Sequence, residues 1–182
     1  MNTKSNVLYI LRLTVTLLLI TAIVAFALAG VNAITGPIIA SLKEARTQKA
    51  ISAVLPGGGT LLESFPDETG LVQAVYASDT GYAIQVTPSG FAGTITMMVG
   101  VVDGKVQGIS IISHSETPSL GAEAAANNAK GESFRQQFEG LSGILAVEKD
   151  GGSIDSLTSA TITSRAVTEG VNAALACAAA MD

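Results

Sequence analysis

Residues 71–112, LVQAVYASDTGYAIQVTPSGFAGTITMMVGVVDGKVQGISII, decide the fold. Leu71–Ala77 and Tyr82–Thr87 are short β-prone runs separated by Ser78-Asp79-Thr80-Gly81. Pro88-Ser89-Gly90 supplies the next turn. Thr94–Val102 and Lys105–Ile112 flank Asp103-Gly104, a two-residue hairpin signal. The stretch predicts a β-meander through residue 113. Met97-Met98 lies inside one of its strands, so at least one of the two side chains faces a core.

Downstream the periodicity changes. Residues 122–139 predict a helix, with Phe134 and Phe138 paired at i, i+4. Ile144–Glu148 predicts a further strand, and Asp150-Gly151-Gly152 a turn that lacks the Lys and Ser/Thr of a phosphate-binding P-loop. In the last element Val167, Val171, Ala174, Leu175 and Ala178 share one helical face. Thr161, Thr163 and Ser164 stand at its start, where hydroxyls cap helices. Cys177 lies on this small-residue helix and packs as a small hydrophobe. The sum is an α+β domain of about 120 residues, large enough to bury a core.

Upstream, no charged residue occurs from Leu13 to Leu42. About 20 apolar residues suffice to cross a bilayer as a helix. Lys4, Tyr9 and Arg12 mark its starting end, where basic side chains snorkel and aromatics sit at the interface. A cleavable signal peptide is the competing reading, with Ala27-Leu28-Ala29 as its small-residue site. The uncharged run continues past that site, which favours a retained single-pass anchor. Either way the body is exported. Lys43, Arg46 and Lys49 follow the run, so basic residues stand at both ends and the charge rule leaves orientation open. Gly36-Pro37 punctuates the helix, Ile38–Leu55 predicts a short amphipathic helix, and Pro56-Gly57-Gly58-Gly59 ends it. The expected organisation is an anchor over residues 1–36, a connecting helix and linker over 37–59, and an extracytoplasmic domain over 60–182.

Charge and composition exclude several classes. The chain has 182 residues and a net charge of −5. Its first fifty residues carry five basic side chains against Glu44 alone, so the remainder is strongly acidic. Such a body repels nucleic-acid backbones. One cysteine and one histidine form neither a disulfide nor a closed zinc or iron–sulfur site within this chain. No metal site is expected, and redox chemistry would need an organic cofactor.

The densest polar stretch is Asp155-Ser156-Leu157-Thr158-Ser159-Ala160-Thr161-Ile162-Thr163-Ser164, where a loop enters the last helix. A helix N-terminus offers unpaired N–H groups and a partial positive charge, a seat for phosphate. Composition alone reads the run as helix capping.

The motif adds a second reading. D-x-x-T-S-A-T at Asp155–Thr161 resembles the flavinylation pattern D-x-x-[S/T]-G-A-[S/T], with Ser159 in the glycine position. Residues 81–105 resemble the opening meander of FMN-binding domains in ion-pumping respiratory complexes. Glu116-Thr117-Pro118-Ser119-Leu120-Gly121 resembles their E-T-P-G-L-G loop, with Ser119 for glycine, and Phe134–Phe138 matches their F-x-x-Q-F step. The chain is thereby similar to the family of G subunits of the Rnf complex, the ion-translocating ferredoxin–NAD oxidoreductase. It is also similar to the C subunits of the sodium-pumping NADH–quinone oxidoreductase.

That resemblance implies a single transmembrane helix followed by an antiparallel-sheet FMN-binding domain with flanking helices. It implies covalent FMN, joined by a flavin transferase from FAD as a phosphoester to Thr161, which makes the chain a phosphoprotein in that sense. Asp155, Thr158, Ser159 and Ala160 are the accompanying motif residues, with Asp155 serving recognition by the transferase and Thr163 a helix cap. Glu116, Thr117 and Leu120 are expected beside the flavin ring, and His114 on the surface or behind that loop. No catalytic residue is expected. The implied role is electron relay between membrane and peripheral subunits at the cell (inner) membrane, without catalysis by the chain alone. The alternatives are a flavoprotein like the C subunits of the quinone reductase, an anchored reductase outside any pump, and an anchored structural module without flavin.

Overall fold

The structure is a computed structural model and describes residues 3–181. The chain divides into two units, one ending at Ala45 and one beginning at Arg46. Helix α1 (Thr3–Val54) supplies the first unit and the opening residues of the second. Pro37 lies inside α1, so Gly36-Pro37 does not end the helix as the sequence suggests. A proline removes one rung of the hydrogen-bond ladder, and the long apolar flanks carry the helix through. This is the one helix among the described residues long and apolar enough to cross a membrane. Its apolar side chains, Leu17, Ile23 and Phe26 among them, are exposed. The Lys4 side chain lies outside the described residues.

The second unit is built on a five-stranded antiparallel sheet in the order β1 (Thr60–Leu61), β2 (Val72–Ser78), β3 (Gly81–Val86), β4 (Thr96–Val102) and β5 (Lys105–Ser113). The four longer strands are those of the expected meander; β1, two residues long, is too short to show a period. Asp103 and Gly104 close the β4–β5 hairpin with φ of +49° and +67°, the left-handed pair whose twist matches the strands.

Both faces of the sheet are covered. Ile84, Met97, Val99 and Val101 pack with α3 (Thr161–Ala179), through Val167, Val171 and Ala174, and with Phe134 and Phe138. Ala83 and Met98, from the opposite pleat, pack with Ala50, Ile51, Val54 and Leu55 at the end of α1. Met97 and Met98 are therefore both fully buried, on opposite sides. Gly100 admits this packing, because a Cβ there would collide with the Val54 carbonyl. Burying a side chain such as Ile51 is worth about 2–3 kcal/mol. Cys177 is buried on α3, and that burial, reinforced by the Asp67 charge, pushes its thiol above the ordinary range.

Besides α1, which absorbs the separate helix expected over Ile38–Leu55, two elements differ from expectation. Residues 122–139 do not form one helix. A 3-10 turn (Gly121–Ala125) precedes α2 (Ala129–Gln136), because Asn128 caps α2 by accepting the Gly131 N–H at 2.8 Å. The two phenylalanine rings still meet edge to face, with centroids 5.6 Å apart. Ile144–Glu148 is not a strand: Val147 makes one parallel bridge to Ile154, and a 3-10 turn (Glu148–Asp150) follows.

Candidate functional site

The loop after β5 meets the loop before α3 at an open cavity of about 330 Å³. Glu116, Thr117, Leu120 and Gly121 line one side, and residues 159–163 the other. The two motifs, some forty residues apart in the chain, thus face each other. Phe91 completes the lining and is 68% exposed; Leu120 and Ile162 are 40% and 49% exposed. Three large apolar side chains around one open cavity invite a flat apolar ligand.

Glu116 organises the first loop. It is buried and is the one charged residue in the lining. Its Oε1 accepts the Ala92 N–H at 3.0 Å, and its Oε2 accepts the Thr163 hydroxyl at 2.5 Å. The carboxylate thus ties three segments together, with its charge answered by donors as burial requires. Gly121 makes room for it, since a Cβ there would collide with both Glu116 Oε2 and Thr163 Oγ1. His114 stands behind this loop, outside the cavity, and its Nδ1 accepts the Glu116 N–H at 3.2 Å.

The second loop is fastened to the helix it enters. Ser164 is fully buried; its hydroxyl donates to the Ala160 carbonyl and accepts the Leu157 N–H at 3.0 Å. Gln137 brackets the Asp155 backbone, accepting its N–H at 2.7 Å and donating to its carbonyl at 3.3 Å. The F-x-x-Q-F step therefore serves this loop. Ser119 and Ser159, the two serines in glycine positions of the motifs, both adopt φ of +62°. The backbone keeps the left-handed geometry that glycine favours.

None of the three hydroxyls expected to cap α3 does so. Ala160 is the N-cap residue and makes no side-chain cap bond. Thr163, expected as a cap, is buried and donates to Glu116 instead. Ser164 serves the loop, and Thr161 Oγ1 accepts from Lys149 Nζ at 2.9 Å. The first N–H groups of α3 are left without side-chain partners, at the positive end of the helix dipole. The Asp150–Arg165 pair ties the turn that carries Lys149 to α3, with contacts of 2.5 and 2.6 Å. Its hydrogen bonds hold the Asp150 carboxyl below the usual carboxylate value and push Arg165 up.

Of the expected site residues, Thr161, Ser159, Ala160, Glu116, Thr117 and Leu120 line the cavity. Asp155 and Thr158 are exposed and lie outside its lining. Sequence reasoning missed Phe91, Ile162 and Lys149. Phe91 carried a signal, an aromatic beside a Pro-Ser-Gly turn in a chain with few aromatics. Lys149 carried none, being twelve residues from Thr161 with no periodic relation to it.

The cavity residues all fall within residues 90–176, which match the FMN-binding domain family. The G subunit of a proton-translocating ferredoxin:NAD(+) oxidoreductase complex from Clostridium ljungdahlii is 36% identical, over 81% of this chain and 80% of its own. The G subunit of a Na(+)-translocating ferredoxin:NAD(+) oxidoreductase complex from Acetobacterium woodii is 30% identical, over 90% and 88%. The G subunit of an ion-translocating oxidoreductase complex from Stutzerimonas stutzeri is 30% identical, over 86% and 75%. With that likeness running through most of its length, the chain belongs to the family of G subunits of ion-translocating ferredoxin:NAD(+) oxidoreductase complexes.

Proposed function

We propose that this chain is the electron-carrying flavoprotein subunit of an Rnf-type complex, with FMN held as a phosphoester on Thr161. The observation that carries the reading is the meeting of the two motif loops at one cavity whose rim holds Thr161. The residues fit the group. Phe91, Leu120 and Ile162 offer apolar surface to a planar ring, while Thr161 sits at an uncapped helix N-terminus suited to phosphate. Bound FMN supplies one- or two-electron transfer.

The chain's own residues bind, orient and tether. Thr161 Oγ1 takes the FMN phosphoryl group from FAD; AMP leaves, and the hydroxyl proton passes to the transferase or solvent. Lys149 holds one lone pair of that oxygen and places an ammonium where the phosphodiester charge will stand. Asp155 and Thr158, exposed on the motif's outer side, are positioned for recognition by a flavin transferase. Glu116 fixes the opposite wall, with Thr117 and Leu120 on the loop it anchors. The ester keeps one flavin at high local concentration near partner subunits. In this reading residues 1–36 anchor the chain, 37–59 connect, and 60–182 carry the flavin on the extracytoplasmic side of the cell membrane. Exchange with the membrane and peripheral partner subunits couples to ion movement elsewhere in the complex.

Intact mass of the chain from its native membrane tests this. The FMN phosphoester mass should be present, lost in Thr161→Ala and kept in Ser153→Ala, an exposed position outside the motif. An unmodified mass in cells containing a flavin transferase would overturn the covalent reading.

A further inference from the structure

A second cavity, of about 410 Å³, lies away from the motif loops. Arg46, Lys49 and Arg135 line it, with no acidic residue in the lining. Ala50, Ala53 and the β5 residues Ile109 and Ile111 give the lining an apolar part, beside Ser110 and Asn127. Neither Arg46 nor Lys49 makes an ion pair or side-chain hydrogen bond among the described residues. Arg135 is held in place, since its Nη1 donates to the Ala124 and Ala126 carbonyls at 2.6 and 3.1 Å. Glu132 is the acid that acts on it electrostatically, and burial draws the guanidinium below its usual range without discharging it.

Three gathered cations in an otherwise acidic body repel one another and need a counter-charge. Glu132 answers Arg135 alone; for the other two their own helix supplies no acid, since Glu44 projects about 160° from Arg46, whereas Lys43 and Lys49 fall within about 60° on either side of it. The end of the uncharged run limits where that counter-charge can come from. Arg46 follows the uncharged run by four residues and the last residue of the anchor, 36, by ten, so a covalent reach of about 36 Å from the anchor lets it meet the bilayer surface. Basic residues that flank a membrane-crossing segment are placed to meet lipid headgroups. Basic side chains near a bilayer surface attract anionic lipid, and the apolar part of the lining suits the glycerol and first methylenes below a phosphate.

We propose that this pocket binds the phosphate headgroup of an anionic phospholipid from the leaflet beside which the body emerges, seating the body on the membrane. The proposal is independent of the flavin reading. A lipid bound there would give the body an attachment to the bilayer besides its covalent link to the apolar helix.

The test uses the full chain in nanodiscs of phosphatidylcholine alone, or of phosphatidylcholine and phosphatidylglycerol in equal amounts. Native mass spectrometry after release counts the lipid each chain retains. Retained phosphatidylglycerol should exceed phosphatidylcholine by at least about fivefold, and Arg46→Gln/Lys49→Gln, both exposed positions, should abolish the preference. The charge-matched Lys105→Gln/Lys130→Gln should preserve it. No preference in the parent chain, or an unchanged preference in Arg46→Gln/Lys49→Gln, would overturn the proposal. So would inorganic phosphate, added to phosphatidylcholine discs, raising the thermal midpoint as much as phosphatidylglycerol does, because the pocket would then read a soluble anion.

Discussion

The two loops that meet at the cavity carry the same backbone feature but are held by opposite means. Ser119 and Ser159 share a φ of +62°. The Ser119 loop hangs on one buried carboxylate, Glu116, whose partners Ala92 and Thr163 lie far away in sequence. The Ser159 loop is held by short-range bonds to Ser164, by Gln137 and, through the Lys149 turn, by an exposed ion pair. A loop hung from one buried carboxylate therefore faces a loop held by local bonds and an exposed ion pair. That asymmetry suits a site in which one side must keep its shape while the other, bearing Thr161, stays accessible to a modifying enzyme.

Substitutions can break the comparison in a definite order. Gly121→Val should cost most, about 3 kcal/mol in thermal unfolding, because the added atoms displace both Glu116 and Thr163. Glu116→Ala should cost about 2 kcal/mol by leaving the buried Thr163 hydroxyl and the partly buried Ala92 N–H unpaired, with Glu116→Gln recovering part of it. On the other side, Ser164→Ala should cost about 1 kcal/mol and raise hydrogen exchange at Leu157 with little change at Ala92. Equal effects of Glu116→Ala at both loops would erase the asymmetry.

Smaller effects sharpen it. Ser119→Gly and Ser159→Gly each remove a left-handed penalty of about 1–2 kcal/mol but add unfolded-chain freedom of about 0.5–1 kcal/mol. Each should gain a few tenths of a kcal/mol, and only Ser159→Gly should raise the flavinylated fraction. The smallest signal is a titration. The Asp150 carboxyl is held below its ordinary 3.8, chiefly by its hydrogen bonds to Arg165. A depressed folded value means the contribution is complete above about pH 4 and is lost as pH falls through that lowered value. Nuclear magnetic resonance titration should show Asp150 returning to the ordinary value in Arg165→Gln, with the Glu116 loop unmoved. As an exposed pair it should also weaken with salt.

The sequence alone determined what depends on neighbours along the chain. The meander was legible because alternation and the Asp103-Gly104 turn are local, and the membrane-length helix because apolar length is additive. The last helix was legible from its period, and the two motifs marked both loops. The Asn128 cap is also local, but the i, i+4 phenylalanines give the stretch the period of one longer helix and mask it. Tertiary structure decided the rest. Met97 and Met98 are both buried only because the end of α1 covers the second face of the sheet. Thr163 left its capping role because a buried carboxylate forty-seven residues away is a stronger acceptor than a solvated helix end is a donor. Lys149 reaches Thr161 only because Asp150 and Arg165 clasp the turn to α3. Periodicity and turn chemistry are written residue by residue, whereas a hydroxyl or an ammonium chooses its partner by desolvation and distance, which exist only once the chain has closed on itself.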